Sequence, residues 1–440
     1  MSSQTPLRYR VMPGQTLRGS LQVPGDKSVS HRAIMLGSLA DGDTEIQGFL
    51  QGEDCLATLK AFRAMGVEIH GPEAGRVWVR GVGINGLRAP AGPLDMGNAG
   101  TAMRLLCGIL AGQRFDSTLV GDASLSRRPM GRVTEPLTAM GARIDTTETG
   151  TAPLRIHGGQ RLRGIEYSLP VASAQVKSCL LLAGLYAGGR TLIHEPGPSR
   201  DHTERMLGVF GYELQRDAQQ VALTGGGRLR GGPVQVPADI SSAAFFLVGA
   251  SIAEGAELTL TGVGVNPTRT GVIDILRLMG ADLTLDNQRL AGGEPVADIR
   301  VRAAPLHGIE IPESLVPLAI DEFPALFIAA ACAGGETRLT GARELRVKET
   351  DRIQVMAEGL QTLGIDTRST EDGMIIRGGS MRGGRVDSAG DHRIAMAFAM
   401  AGLRADGPVE IDDCANVATS FPDFPGLARS AGLHVAVNRE

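Results

Sequence analysis

Hydrophobic residues recur along the chain in six stretches that are apolar on nearly every side of a predicted helix. Each stretch is rich in Ala, Leu, Ile, Met and Phe, and each follows a polar or glycine-rich start. A helix without a polar face has to be buried, so the pattern predicts six core helices. Their starts are GDKSVSHR (25–32), GNAGTAMR (97–104), ASAQVKS (172–178), DISSAAF (239–245), IDEFPAL (320–326) and GDHRIAM (390–396).

A second helix in each unit, such as TDRIQVMAEGLQTLG, alternates polar and apolar residues and is predicted to cover the outside. The end of this second helix has the same pattern in every unit: apolar residues end the helix, a glycine follows, and a strand then begins. A glycine just past the last helical residue provides the left-handed cap that stops a helix. Copies lie 68 to 84 residues apart, which predicts six repeated units in two domains of three. The capping glycines are Gly66, Gly141, Gly211, Gly280, Gly364 and Gly432.

Composition and charge exclude several classes of protein. The chain has 440 residues and a net charge of −4, whereas a general binder of nucleic acid or membranes needs a positive surplus. No apolar run approaches the roughly 20 residues that span a bilayer, and the start MSSQTPLRYR has no signal-peptide core, so we expect a cytoplasmic protein. The five cysteines are widely spaced and show no metal-ligand pairing, so we expect neither disulfides nor zinc.

Cations lie at or near the starts of the predicted helices, although a helix N-terminus disfavours positive charge. Capping explains Ser, Asp and Gly at such positions but does not explain these cations. We infer an anion site in a cleft between the domains where the six helix starts converge, and a ligand with more than one phosphate or carboxylate. The residues are Lys27, His31, Arg32, Arg104, Arg127, Arg128, Lys177, Arg200, Arg346, Lys348, Arg352, His392 and Arg393.

Two acidic residues lie within this field of positive charge. Asp321 stands at the start of the apolar helix IDEFPALFIAAAC, where it could serve as an N-cap. Glu349 stands between Lys348 and Arg352, where it could form an ion pair in a solvated network. Either carboxylate could instead transfer protons beside a bound substrate. The residues alone leave these roles open.

Six motifs, in this order, resemble those of the EPSP synthase family, the 3-phosphoshikimate 1-carboxyvinyltransferases. They are PGDKSVSHR, GNAGTAMR, RRPMGR, SAQVKS, RVKETDR and GDHRIAMAF, and the resemblance extends from Pro24 to Phe421. It implies an α/β fold of two domains, an inside-out α/β barrel with three βαβαββ units per domain and an active site in the cleft between them. One domain would comprise 1–22 and 238–440, because the first strand segment crosses over, and the other 23–237.

The resemblance also implies an activity, the transfer of the enolpyruvyl group of phosphoenolpyruvate to the 5-hydroxyl of shikimate 3-phosphate. No metal or organic cofactor would be needed, glyphosate would inhibit, and we expect a monomer. Lys27, Asp321 and Glu349 would be catalytic, with Glu349 as the acid and Asp321 as the base. Shikimate 3-phosphate would contact Lys27, Ser28, Arg32, Ser173, Ala174, Gln175, Arg200, Asp321 and Lys348. Phosphoenolpyruvate would contact Lys27, Gly100, Arg128, Gln175, Arg352 and Arg393.

The chain departs from the family pattern at two positions. Thr419 stands where many members carry a lysine, and Glu344 stands where others carry an asparagine. Two alternative functions differ from this one in the residues that they require. The enolpyruvyl transferase that acts on UDP-N-acetylglucosamine typically carries a cysteine in the loop that here reads GDASLSRRPMG. A catalytically silent phosphosugar-binding protein would not need the carboxylates of Asp321 and Glu349.

Overall fold

Twelve α-helices lie in the part of the chain that the computed structural model describes, residues 7–217 and 219–439. They are α1 (Lys27–Leu39), α2 (Glu53–Ala64), α3 (Gly100–Ala111), α4 (Gly131–Ala139), α5 (Ala174–Gly184), α6 (His202–Val209), α7 (Ile240–Ile252), α8 (Gly271–Leu278), α9 (Phe323–Cys332), α10 (Arg352–Thr362), α11 (His392–Ala401) and α12 (Phe424–Ser430). Four short 3-10 helices cover Leu125–Arg127, Glu313–Leu315, Arg343–Val347 and Ala415–Thr419.

The strands are short and numerous. They are β1 (Leu7–Val11), β2 (Arg18–Leu21), β3 (Asp41–Gln47), β4 (Glu68–Glu73), β5 (Arg76–Val82), β6 (Leu94–Asp95), β7 (Ser117–Val120), β8 (Arg143–Asp145), β9 (Leu154–His157), β10 (Glu166–Ser168), β11 (Arg190–His194), β12 (Gln215–Arg216), β13 (Gln220–Thr224), β14 (Pro233–Gln235), β15 (Glu257–Gly264), β16 (Asp282–Ala291), β17 (Glu294–Arg302), β18 (Glu336–Leu339), β19 (Asp366–Ser369), β20 (Met374–Arg377), β21 (Gly384–Asp387), β22 (Val409–Asp412) and β23 (Val435–Arg439).

These strands form six small sheets, and the described residues group into two compact units. Unit 1 comprises 7–24, Ala238–Leu290 and 295–439, and its sheets have the orders β16-β17-β15-β2, β18-β20-β19 and β21-β22-β1-β23. Unit 2 comprises Gly25–Pro237 with Ala291–Glu294, and its sheets have the orders β14-β3-β5-β4, β6-β7-β9-β8 and β10-β11-β13-β12. No sheet of the described residues closes into a barrel.

The same strand pattern recurs from sheet to sheet. In unit 2, each sheet begins with a parallel pair, such as β14 and β3, and continues with antiparallel partners such as β5 and β4. The sheets built on β7 and on β11 repeat this arrangement. In unit 1, β21 and β22 form a parallel pair. Strand β1 then pairs antiparallel with β22, and β23 pairs antiparallel with β1. The mixed α/β fold with six repeated units, inferred from the sequence, is confirmed.

The six apolar stretches form the core helices of the two units, as predicted. All thirteen residues of α7 are buried, and it packs against α9 and α11, which also pack against each other. In unit 2, α3 packs closely along α5. A Cβ atom at Gly108 would come within 2.2 Å of the carbonyl oxygen of Cys179, so this close approach of two helix backbones requires glycine.

The six predicted glycine caps all adopt the left-handed conformation, with φ between 76° and 105°. At the end of α2, the amide of Gly66 donates to the carbonyl of Arg63, and that of Val67 donates to the carbonyl of Phe62. This pair of bonds is the Schellman arrangement, which satisfies helix carbonyls that would otherwise lack partners. The caps end α2, α4, α6, α8, α10 and α12, the helix that follows the core helix in each unit.

Candidate active site

Lys27 is the first residue of α1, in unit 2, and an aspartate holds its side chain. The Lys27 ammonium lies 2.9 Å from the Oδ2 atom of Asp54, which belongs to the first turn of α2. The side chain of Lys27 is 18% exposed, so it is held in place but still reachable from solvent. Lys27 was predictable from the sequence but Asp54 was not, because no sequence pattern links residues on two different helices.

Arg32 lies one turn further along α1 and is buried among hydroxyl groups. Its Nε donates to Thr203 (2.7 Å), its Nη2 to Ser178 (2.9 Å) and its Nη1 to the carbonyl of Ser28 (2.9 Å). Burial lowers the pKa of Arg32 to about 10, while the negative charge of Glu204 acts in the opposite direction. Arg32 therefore remains a fixed cation at neutral pH, with three of its five N–H donors engaged by the protein.

Four of the predicted site residues come together at the starts of α3 and α5. Gly100 is the first residue of α3, and an added Cβ there would lie 2.9 Å from Nη1 of Arg128 and 3.3 Å from Nη1 of Arg104. Arg104 donates to the side-chain oxygen of Gln175 (3.0 Å), whose amide nitrogen donates to Thr101. Arg128 is oriented by a 2.8 Å hydrogen bond to the side chain of Asn98. Two guanidinium groups thus lie beside a helix start that carries no side-chain cap.

The remaining predicted residues of unit 2 lie at neighbouring helix starts. Ser173 caps α5 by accepting a bond from the amide of Val176, and Ala174 is the first residue of that helix. Arg200 is half-buried, two residues before α6 begins. Lys177 differs from expectation, because its side chain is fully buried and paired with acidic residues. It cannot contact a ligand directly.

In unit 1, Arg352 is the centre of a cluster of acidic residues. The side chain is 1% exposed, and its guanidinium contacts Asp391 (2.8 Å), Glu349 (2.7 Å) and Asp321 (3.3 Å). Burial alone would lower the pKa of Arg352, but the carboxylates of Asp391, Glu349 and Asp321 outweigh it and raise the pKa. A permanently charged arginine therefore fixes both candidate proton-transfer groups in one place.

Asp321 does not cap α9, which is one of the roles that the sequence left open. The helix begins at Phe323 with Glu322 at the N-cap position. The Asp321 carboxylate instead lies 3.3 Å from the Lys348 ammonium and 3.3 Å from Arg352. Arg393 donates to the main-chain oxygen of Asp321 (3.1 Å). The five residues of unit 1 to which the family resemblance gives a catalytic or binding role thus form one cluster.

Acidic caps reduce the positive field expected at the helix starts. Three of the core helices have an aspartate at the N-cap, which the dipole of a helix favours. Asp391 caps α11 and also binds Arg352, a double role that the sequence analysis missed although the residue lies in the motif GDHRIAMAF. The capping bonds run from Val29 to Asp26, from Ser241 to Asp239 and from Arg393 to Asp391.

His31 supplies a pH-dependent contribution to the stability of unit 2. Burial, with a smaller effect from the charge of Lys27, lowers the pKa of His31 from its ordinary 6.5 to about 3, and the ring bonds to Thr58 at 2.7 Å. Because the folded state favours the neutral ring, this contribution is complete above pH 6.5 and is lost as the pH falls towards 3. We expect it to fall by about 2 kcal/mol on going to pH 5.

Urea unfolding at pH 8 and pH 5 tests this expectation. His31→Gln should show a smaller loss of unfolding free energy on acidification than the unsubstituted protein. His434→Gln, which changes an exposed histidine, should leave the loss unaltered. Equal losses in all three proteins would contradict the neutral buried state of His31.

The structure also describes Thr419 and Glu344, the two positions at which the chain departs from the family pattern. Thr419 is buried and donates to the main-chain oxygen of Asn416 (2.7 Å), and Glu344 lies in the 3-10 helix before Lys348.

Within 7–217 and 219–439, no group of three or more His, Cys, Asp and Glu side chains is arranged to hold a metal ion. Nor does any helix of that described part have the length and hydrophobicity needed to traverse a bilayer.

Comparison with known proteins gives a consistent result. The family model described as EPSP synthase (3-phosphoshikimate 1-carboxyvinyltransferase) matches residues 11–427. A 3-phosphoshikimate 1-carboxyvinyltransferase from Methylococcus capsulatus is 68% identical over 426 residues, which are 97% of this chain and 98% of the relative. One from Alkalilimnicola ehrlichii is 69% identical over 428 residues, 97% of this chain and 96% of the relative.

Solved structures extend the comparison. An EPSP synthase from Acinetobacter baumannii superposes with a TM-score of 0.90 at 59% identity, covering 98% of this chain and 100% of the other. The enolpyruvyl transferase NikO from Streptomyces tendae has a TM-score of 0.81 at 17% identity, covering 99% and 100%. At that identity, the second likeness concerns the fold alone.

Proposed function

This chain belongs to the EPSP synthase family and transfers the enolpyruvyl group of phosphoenolpyruvate to the 5-hydroxyl of shikimate 3-phosphate, and we propose how its residues divide that work. Lys27, Asp321 and Glu349 are the catalytic residues. The observation that supports this most directly is the pairing of Asp321 and Glu349 with one buried arginine, Arg352. Asp391 already balances the charge of Arg352 in the interior, whereas the carboxylates of Asp321 and Glu349 are partly exposed and so can reach a bound substrate.

The binding residues fall into two groups. Ser28, Arg32, Ser173, Ala174, Gln175, Arg200, Asp321 and Lys348, together with Lys27, contact shikimate 3-phosphate. Gly100, Arg128, Gln175, Arg352 and Arg393, again with Lys27, contact phosphoenolpyruvate. We propose that residues of both units act on the same bound pair. Arginine forks suit this task because they match the planar oxygens of carboxylate and phosphate groups.

The reaction requires two proton transfers in its first step. Glu349 delivers a proton to C3 of phosphoenolpyruvate, which makes C2 electrophilic. The 5-hydroxyl oxygen attacks C2, and its proton passes to Asp321. The tetrahedral adduct then loses phosphate as the bond from C2 to the phosphate oxygen breaks, and Asp321 passes its proton to the leaving phosphate. C3 returns a proton to Glu349, which restores the double bond. Both carboxylates thus act as acid and base in turn.

Fixed cations supply the electrostatic part of catalysis. Two multiply charged anions meet in this reaction, and the adduct gathers their charge. Arg352 and Lys27 are each held by a protein carboxylate, so they need little reorganisation when charge develops. Groups arranged in advance in this way usually provide the largest share of catalysis.

A phosphate-release assay tests the function. Phosphate should appear only when phosphoenolpyruvate and shikimate 3-phosphate are both present. Replacing the second substrate by UDP-N-acetylglucosamine should give no release above background. Release with UDP-N-acetylglucosamine, or binding of shikimate 3-phosphate without any turnover, would contradict the proposed reaction.

We further propose that glyphosate inhibits the enzyme in the phosphoenolpyruvate site beside Gly100. Gly100→Ala should weaken this inhibition and raise the KM for phosphoenolpyruvate, because the new methyl group meets the guanidinium of Arg128 at 2.9 Å. A movement of that side chain would be needed to relieve the contact. The measurement is the inhibition constant for glyphosate together with both KM values.

The matched control for this change is Gly92→Ala. Gly92 lies in the same unit, and a Cβ there has open space around it. It should leave inhibition and both KM values unaltered. Inhibition that appears only after Gly100 has been enlarged would contradict the proposal.

A further inference from the structure

Lys177 lies in α5, between the predicted substrate contact Gln175 and the Arg32 partner Ser178, yet it faces inward. Its side chain is fully buried, and its ammonium lies 2.8 Å from Oε1 of Glu195 and 2.7 Å from Oε1 of Glu204. A buried ammonium is retained only when charges and hydrogen bonds balance it. Two ion pairs therefore link Lys177 to the segment that carries both glutamates.

The two glutamates lie on either side of the segment that carries Arg200. Glu195 directly follows β11, and its second oxygen accepts a 2.5 Å hydrogen bond from Ser199, the residue before Arg200. Glu204 lies in the first turn of α6, four residues after Arg200. The Lys177 ammonium therefore ties both sides of this segment to helix α5.

The same segment is joined to Arg32. Thr203, next to Glu204, accepts the bond from Nε of Arg32 and donates to Ser178 at 2.7 Å. Lys177 and Ser178 are neighbours in α5, so one turn of this helix anchors both Arg200 and Arg32. The negative charge of Glu204, which pairs with Lys177, also acts on Arg32.

We propose that Lys177 is a positioning residue for shikimate 3-phosphate, acting through Glu195 and Glu204 on the segment 195–204. It never touches the substrate. Its removal leaves the buried carboxylate of Glu204 and the partly buried carboxylate of Glu195 without their shared cation, and their repulsion shifts the segment and so displaces Arg200. Since phosphoenolpyruvate contacts other residues, only the affinity for shikimate 3-phosphate should suffer. The inference rests on the binding roles proposed above for Arg200 and Arg32.

The experiment compares Lys177→Met with Lys60→Met, the same change at an exposed lysine of α2. In Lys177→Met, the Kd of shikimate 3-phosphate, measured by calorimetry without the second substrate, should rise about 10- to 100-fold. The KM for phosphoenolpyruvate and kcat at saturation should stay unchanged. Lys60→Met should change none of these values.

A merely structural role for Lys177 predicts a different result, namely a lower melting temperature with normal affinity in the folded fraction. Folded Lys177→Met with unchanged Kd overturns the inference. If this variant does not fold, Glu195→Gln decides, because it weakens the same ion pair at constant volume. A raised Kd there supports the positioning role, and an unchanged Kd overturns it.

The variant Arg200→Ala distinguishes the proposed binding role of Arg200 from the proposed positioning role of Lys177. Unchanged affinity for shikimate 3-phosphate in that variant contradicts the proposed role of Arg200, and the inference about Lys177 falls with it. Lower affinity in Arg200→Ala together with unchanged affinity in Lys177→Met contradicts the positioning role alone.

Discussion

Lys27→Ala should lower kcat/KM about 1,000-fold, the loss expected when one fixed cationic donor beside developing negative charge is removed. The reason lies in the geometry around the ammonium, which Asp54 holds at 2.9 Å at the start of α1 while the side chain stays partly exposed. Its removal leaves the hydrophobic core of unit 2 unaltered. Phosphate release with both substrates, together with the thermal transition, measures the two effects.

The control for this prediction is Lys60→Ala, since Lys60 is exposed on α2 and belongs to no proposed contact. It should retain full activity. A loss of the thermal transition in Lys27→Ala would show that the ion pair with Asp54 is structural. Near-normal turnover by a folded variant would exclude a catalytic role for Lys27.

Asp321→Asn should lower kcat by about 10² to 10⁴, the usual contribution of a positioned proton-transfer group. The amide keeps the shape of the side chain and can still accept a hydrogen bond from Lys348 or Arg352. It cannot take up the proton of the attacking hydroxyl. Because one negative charge beside two cations is lost, binding of the anionic substrates should not weaken. Turnover and both KM values, measured together, separate these effects.

Asp282→Asn is the matched control, because this aspartate is exposed at the start of β16 in the same unit. It should behave as the unsubstituted protein. A large rise in KM with unchanged kcat in Asp321→Asn would point to substrate binding and contradict the role as a base.

Much of the fold could be read from local patterns. A helix that is apolar all round has to be buried, and a glycine with positive φ ends a helix whatever surrounds it, so the six units were predictable. The apolar pattern does not indicate whether the side chain of a polar residue in such a helix faces the protein interior or the solvent. Lys177 was therefore grouped with the cations of the anion site, although it points into unit 2 and away from solvent.

The residues of the site could be predicted from the sequence, but the hydrogen bonds and ion pairs that join them could not. The motifs contain four of the five clustered residues of unit 1, and the fifth, Asp321, lies in the helix start IDEFPAL. The pairing of Lys27 with Asp54, or of Arg32 with Thr203, joins residues 27 and 171 positions apart. Such pairs form only when helices pack, so no single segment contains the information. The sequence left Asp321 open between a helix cap and a proton-transfer group, and only the contacts with Lys348 and Arg352, which lie in other segments, show that its carboxylate is held away from the cap position.

The place of β1 has a consequence for synthesis on the ribosome. Tyr9 pairs with Ile411 of β22 on one side and with Val437 of β23 on the other. The partners of β1 are thus made long after β1 itself, whereas the continuous part of unit 2, which lies between them in the sequence, is complete at Pro237. The continuous part of unit 2 can fold while the chain is still growing, but β1 emerges from the ribosome with both edges open. Residues 7–11 should therefore be the segment of the nascent protein that most needs shielding from unwanted strand pairing.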